Sequence, residues 1–232
     1  MTKKFVFCDL DETLISMKSM FSFQDYWFQH WTVEQGIDTH GELDDINAIL
    51  QSLRRRGASR EELNRRYYEF FAGRRVSDVA ACAERWFAHV SQIGPDLWLH
   101  DSCAEMNRLR ALGYEPVLVS GSLTEIARPV ADALAIRHIL ATNLMRSGDH
   151  YNGRIIAPQT IGQGKARAVA SFLDRQQARA ADCAAMGDDR SDIPMLELVG
   201  DPIAVIGDAL LAMEASKRGW RRIESTSIAQ AA

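Results

Sequence analysis

The sequence predicts an α/β fold: a doubly wound, Rossmann-like parallel sheet with a helical cap inserted after its first strand. Three observations predict it. Short apolar runs at 5–8, 116–120, 138–142, 184–187 and 203–206 alternate with stretches long enough for helices, the pattern of a parallel sheet covered on both faces. That alternation is interrupted once, from about 17 to 96, by segments with helix character and little strand character. Chemistry-bearing clusters also follow the apolar runs directly, and α/β sheets of this kind bind ligands at the carboxyl ends of their strands.

Taken in order, residues 5–8 are too few for a helix and run into acidic residues, so they read as a buried strand. Helices are expected over 21–31, 43–55, 60–71 and 77–91, the last capped by Ser77 or Asp78. Beyond Pro95, a helix over 101–112 ends at Gly113. Strand 116–120 leads to Gly121, and a helix over 122–134 is expected to break at Pro129. Strand 138–142 follows. Residues 149–156, centred on Asn152-Gly153, suggest a hairpin. Helices are expected over 165–176, 193–199 and 208–219, around strands 184–187 and 203–206. The expected division is a core of residues 1–15 and 97–232 and a cap of residues 16–96, with a partly disordered tail at 225–232.

Composition excludes several function classes. The 232 residues are 47% apolar, enough for one sizeable core, and a net charge of −4 gives no electrostatic footprint for nucleic acid. No apolar run approaches the ~20 residues of a membrane span, so no integral membrane association is expected. Acidic residues follow the first short apolar run at once, which argues against a secretory signal. Cys8, Cys82, Cys103 and Cys183 form no CxxC pair and read as reduced, mostly buried thiols of a cytoplasmic protein. Nothing in the pattern sets an oligomeric state.

Four positions share one chemical theme: Asp9-Leu10-Asp11-Glu12-Thr13, Ser120-Gly121-Ser122, Lys165 after Gly162-Gln163-Gly164, and Gly187-Asp188-Asp189-Arg190-Ser191-Asp192. Phosphoester hydrolysis needs such a set. One carboxylate attacks phosphorus, and a second protonates the leaving alkoxide and then deprotonates water. Two carboxylates beside a phosphate repel it, and a hard divalent cation such as Mg²⁺ offsets the repulsion, with Asp188 completing its site. Lys165, the Ser120 hydroxyl and the Gly121 N–H supply positive charge and donors for phosphate oxygens. Each motif alone has a bland reading as a turn or a solvated helix end. The set, in order and each after a strand, outweighs it.

These motifs, DLDET, VSGS, GKARA and GDDRSD, resemble those of the haloacid dehalogenase-like phosphatases, and the position of the insertion resembles that of the subfamily containing phosphoserine phosphatase. The segments NGRIIAPQTIGQGKARAV and DPIAVIGDALLAMEASKRGW are similar to stretches of related subfamily IB hydrolases. The resemblance implies a magnesium-dependent phosphatase acting on a small-molecule phosphate monoester through an aspartyl-phosphate. Asp9 would be the nucleophile and Asp11 the general acid/base. Asp9, the Asp11 backbone carbonyl and Asp188 would hold Mg²⁺, while Ser120, Gly121 and Lys165 bind phosphate. Asp192 would orient the metal site or Lys165 from behind. Phosphoserine phosphatases place a glutamate, for the substrate ammonium, near the position of Lys18, and an asparagine where this chain has Ser191. Both departures argue against phosphoserine and make Lys18 a specificity candidate.

The aromatic residues of the inserted block read first as its core. Phe21, Phe23 and Trp27 are the alternative candidates for an apolar substrate pocket. The runs Arg54–Arg56, Arg65–Arg66 and Arg74–Arg75 read as solvated faces or ion pairs, one of which could meet a substrate carboxylate. The six histidines lack ligand spacing. Two further function classes stay open: a phosphotransferase using the same intermediate, and a non-enzymatic phosphate-binding or signalling module.

Overall fold

The computed structural model describes residues 3–224, so the expectation for 225–232 lies outside the described residues. Its sheet has seven strands: β1 (Lys4–Cys8), β2 (Tyr114–Leu123), β3 (His138–Ser147), β4 (His150–Ile156), β5 (Ala184–Gly187), β6 (Asp201–Ile206) and β7 (Arg221–Glu224). They lie in the order β4-β3-β2-β1-β5-β6-β7. Every neighbouring pair is parallel except β3 with β4. The chain builds outward from β1 to one edge and then recrosses to the other side. The carboxyl ends of β1, β2 and β5 therefore meet at the topological switch point.

Side chains alternate across β1 and serve two cores. Phe5 and Phe7 pack on one face with Val117, Val119 and Phe172, while Val6 and Cys8 pack on the other with Leu118 and the helical block. Strands buried on both faces have no polar positions to spare, which is why they appear in the sequence as short continuous apolar runs.

The block between β1 and β2 contains α1 (Ser19–Tyr26), a π-helical turn (Trp27–Trp31) leading into α2 (Thr32–Gln35), α3 (Glu42–Arg55), α4 (Arg60–Glu69) and α5 (Val76–Val90). Phe23, Trp27, Tyr67, Phe71 and Trp86 fill its interior, each at most 2% exposed. Phe23 and Trp27 are thus packing residues rather than pocket residues. The chain enters and leaves the block side by side: Ser16 N–H donates to the Leu97 carbonyl at 2.9 Å and Leu99 N–H to the Leu14 carbonyl at 3.0 Å.

After the block come α6 (His100–Ala111), α7 (Thr124–Ala133), α8 (Gln163–Gln176), α9 (Ile193–Leu196) and α10 (Ala209–Arg218). Three local expectations need correction. First, α5 is capped by neither Ser77 nor Asp78, which lie inside its first turn; Arg75 is the N-cap and the Val76 N–H donates to the Asp149 carbonyl at 2.9 Å. The neighbouring hairpin turn takes the donor that a capping side chain would otherwise satisfy. Second, α7 runs through Pro129 without a break, with Ile126, Ala127, Val130 and Ala131 buried around it. Packing on both sides of the proline outweighs one lost backbone hydrogen bond. Third, the hairpin turns at Gly148-Asp149, between the paired Ser147 and His150, and not at Asn152-Gly153. The latter two sit inside β4, where the register shifts between the Leu144–Ile155 and Arg146–Tyr151 pairs. β7, an edge strand of three charged residues and Ile223, gives no apolar run and is not expected from the sequence.

Gly153 has φ +78°, and a Cβ there would come 3.1 Å from the Glu69 Cα of α4. Gly153→Ala is expected to cost about 1–3 kcal/mol, through left-handed strain and overpacking at the α4 contact. Urea denaturation measures it; a loss below about 0.5 kcal/mol would mean that α4 is not held against the hairpin there.

Candidate active site

The turn after β1 builds the site. Asp9 N–H continues the ladder by donating to the Met186 carbonyl of β5 at 3.0 Å, and the Leu10 carbonyl accepts from Leu14 and Ile15 at 2.9 and 3.1 Å. Glu12 takes a left-handed φ of 59°, so residues 9–15 fold back within a few residues. This tight return lets Thr13 Oγ1 donate to Asp188 Oδ1, beyond β5, at 3.0 Å.

Lys165, in the first turn of α8, places its ammonium 2.6 Å from Asp9 Oδ1 and 2.5 Å from Asp192 Oδ1. Asp9, Lys165, Asp188 and Asp192 are 7%, 4%, 6% and 0% exposed. Asp9, Asp188 and Asp192 each bring an oxygen within 4.8 Å of the others. Three carboxylates thus crowd one ammonium, two of them in contact with it, in a site shielded from water. Burial, reinforced by Asp9 and Asp192, pushes the Asp188 carboxyl up to about 9. Burial also pushes Asp192 up to about 6, held back chiefly by Lys165. Burial alone would lower the Lys165 ammonium, but Asp192 and Asp9 overcome it and raise it.

This donor set fits a hard divalent cation: the ligand atoms are all oxygens, and negative charge is in excess. Asp192 is the least available, since its other oxygen accepts the Asp189 N–H at 3.2 Å. Asp9 and Asp188 remain as the carboxylates suited to a metal.

Above the cluster lies a cavity of about 230 Å³. Asp9, Asp11, Ser120, Gly121, Lys165 and Asp188 line its floor, and Phe21, Arg54, Leu63 and Tyr67 its opposite wall. Every site residue expected from the sequence except Asp192 lines it, and Asp192 stands behind Lys165. Asp11 Oδ1 accepts the Ser19 N–H at 3.0 Å; burial raises its carboxyl, and the Ser19 hydrogen bonds oppose the rise. Lys18 lies on the wall but is paired with Glu12. No histidine lines the cavity.

The helical block contributes residues that no motif marked. Arg60 pairs with Asp189 and reaches Ser191 Oγ at 3.4 Å. Asn64 and Tyr67 line the cavity, and Arg54 sits 5.3 Å from the centre of the Phe21 ring. The one signal for them in the sequence is the start of α4, where Ser59 accepts the Glu62 N–H at 3.1 Å as a helix cap.

A family model described as haloacid dehalogenase-like hydrolase matches residues 6–197. Phosphoserine phosphatase SerB1 of Mycobacterium tuberculosis is 30% identical over 157 residues, which cover 67% of this chain and 50% of that protein. A probable phosphatase of the same organism is 29% identical over 223 residues, covering 92% and 72%. The chain thus spans about half the length of the first curated relatives it matches. A crystal structure of a Bordetella pertussis protein of unknown function superposes with a TM-score of 0.82 at 24% identity, over 97% of this chain and 99% of that one, which shows a shared fold.

The crowding of carboxylates sets a stability cost. Asp188 has a folded pKa of about 9 against 3.8 in a model peptide, so the folded chain holds that proton more tightly than the unfolded chain. Asp188 therefore costs no stability below about pH 4 and lowers it as pH rises toward 9. In chelator at pH 8, Asp188→Asn is expected to be more stable than the wild type by about 1–3 kcal/mol, with the gap closing at pH 4. Chemical denaturation at the two pH values measures it; a variant less stable at pH 8 would show that Asp188 is well paired in the absence of a metal.

Proposed function

The chain belongs to the haloacid dehalogenase-like hydrolases, and from that premise we propose that it is a magnesium-dependent phosphatase, hydrolysing a small-molecule phosphate monoester through an aspartyl-phosphate on Asp9. The observation that carries the reading is the buried Asp9, Lys165, Asp188 and Asp192 cluster at the floor of a cavity open at the carboxyl ends of the strands. A charged cluster of this kind is less stable than a hydrophobic replacement would be, which favours a ligand-binding role over a structural one.

In this reading Asp9 attacks phosphorus while Asp11 gives a proton to the leaving ester oxygen. Asp11 then takes a proton from the water that hydrolyses the aspartyl-phosphate. Its Oδ1 is held by the Ser19 N–H, which leaves Oδ2 for proton transfer. Lys165, the Ser120 hydroxyl and the Gly121 N–H hold phosphate oxygens, and Asp192 keeps the ammonium of Lys165 in place. Mg²⁺, held by Asp9, Asp188 and the Asp11 carbonyl, would neutralise the phosphate so that an anionic nucleophile can approach it.

Residues 16–96 act as a cap that encloses the ester and selects it. Of the lining residues beyond Asp9, Asp11 and Asp188, Asp189 is the one carboxylate, and it is paired with Arg60. Together with Lys18 on the wall, this favours a leaving group without an ammonium. Phosphoserine, the substrate in the name of one relative, belongs among the esters to be assayed as the direct test of that preference. The free cysteines, with Cys8, Cys82 and Cys183 buried, suit a cytoplasmic setting, which is part of the same proposal.

With an aryl phosphate and Mg²⁺, the wild type is expected to turn over and chelator to stop it. Asp9→Asn should lose at least about 10³-fold in kcat, and Asp11→Asn about 10²–10⁴-fold. Product trapping with an added alcohol separates hydrolysis from phosphoryl transfer. Undiminished turnover by Asp9→Asn would remove the nucleophile on which the mechanism stands.

A further inference from the structure

The Gly121 carbonyl accepts three hydrogen bonds: from Tyr68 Oη at 2.7 Å, Thr142 Oγ1 at 2.9 Å and Asn64 Nδ2 at 3.3 Å. Tyr68 and Asn64 belong to α4 of the helical block, and Thr142 to β3 of the sheet. Three donors on an oxygen with two lone pairs fix the rotation of the Gly121–Ser122 peptide tightly. The other end of that same peptide, the Ser122 N–H, donates to Ser120 Oγ at 3.0 Å.

We propose that Tyr68 and Asn64 are positioning residues, which act through the Gly121–Ser122 peptide to aim the Ser120 hydroxyl at the bound phosphate. The proposal rests on the phosphate-binding role given to Ser120 above. A hydroxyl that accepts a hydrogen bond on one side turns its own proton away from that donor. Ser120 is 1% exposed, it lines the cavity with Asp9 and Lys165, and among the described residues its hydroxyl donates to no protein acceptor. The direction left for the proton is the cavity.

α4 is itself fixed to the core on the far side of this contact. Gln159 Nε2, in the loop before α8, donates to Asn64 Oδ1 at 2.9 Å and to the Glu61 carbonyl at 2.8 Å. Burial keeps the Tyr68 phenol protonated by raising it well above its ordinary value, so it stays a donor. When α4 is docked the peptide has three anchors; without α4 it keeps only Thr142. The grip on phosphate is thus complete only with the helical block in place. By linkage, phosphate must favour docking by the same factor as docking favours phosphate.

The test is calorimetric titration of inorganic phosphate into the full chain with Mg²⁺, for wild type, Tyr68→Phe, Ser120→Ala and the double variant. Tyr68→Phe is expected to bind phosphate about 5–10-fold more weakly, as for loss of one oriented hydrogen bond. In the Ser120→Ala background the same change is expected to cost less than about twofold, because the group it orients is gone. A packing role would weaken binding equally in both backgrounds, and that result, or no loss in either, would overturn the proposal. Asn64→Ala, run through the same cycle, gives the answer again should Tyr68→Phe fold poorly. A wild type that binds phosphate but hydrolyses no ester would sink the phosphatase reading and leave this one intact; a wild type that binds no phosphate would sink this one.

Discussion

The ammonium of Lys165 lies between two buried carboxylates that arrive from opposite directions, Asp9 from the end of β1 and Asp192 from the loop after β5. Every other feature of the site depends on that placement. Asp9 and Asp188 bring oxygens within 4.8 Å of each other, close enough to share one cation, and without the lysine three carboxylates would face one another out of water. The cluster still has three carboxylates to one ammonium, and burial, reinforced by the neighbouring carboxylates, pushes Asp188 and Asp192 up. The imbalance is what a bound divalent cation would offset. Charge that weakens the empty protein is therefore stored for the ligand.

Bringing groups 156 residues apart in sequence to 2.6 Å needs a rigid frame, and the central strands supply it. β1 is paired on both edges and buried on both faces, so Asp9 leaves it in one direction only. Gly187 has a different task at the end of β5. A Cβ there would lie 2.6 Å from Asp192 Cγ, so only glycine lets the loop turn its carboxylate back toward Lys165. The glycine before the acidic loop is thus as much a part of the charge arrangement as the acids are.

What could be read from the sequence follows from how local each determinant is. The strands of the buried sheet were legible because both faces demand apolar residues, and the convergence of Asp9, Ser120 and Asp188 on one cavity because they sit at or near strand ends, with Lys165 joining them from the first turn of α8. The Asn152-Gly153 turn was misplaced because its glycine is needed for a different reason, the approach of Glu69. The caps of α5 and the continuity of α7 were misread because neighbouring backbone and packing, absent from any local window, decide them. β7 was illegible because an edge strand can be mostly charged, with Ile223 its one apolar residue. Beyond the helix they sit on, Arg60, Asn64 and Tyr68 carried no signal of their roles, since their partners, Asp189, Gln159 and the Gly121 carbonyl, lie 53 residues or more away in sequence.

The seam between the helical block and the sheet is of two kinds. At the back, Phe23, Phe71 and Trp86 continue the apolar cluster of Val6 and Leu118 without interruption. Separating that surface would expose apolar area at about 25 cal/mol per Å². At the front, over the cavity, the contacts are polar: Arg60 with Asp189, Gln159 with Asn64 and Glu61, Tyr68 with Gly121. Water can replace each of these, at a net cost of about 0.5–1.5 kcal/mol per hydrogen bond. The two costs differ enough that the block is fixed to the sheet at its apolar side and only lightly closed at its polar side. A ligand that adds contacts at the front therefore has leverage over closure that it could not have if the whole seam were apolar. The front also holds the residues that touch the Gly121–Ser122 peptide, so the lightly closed part of the seam is the part nearest the proposed phosphate site.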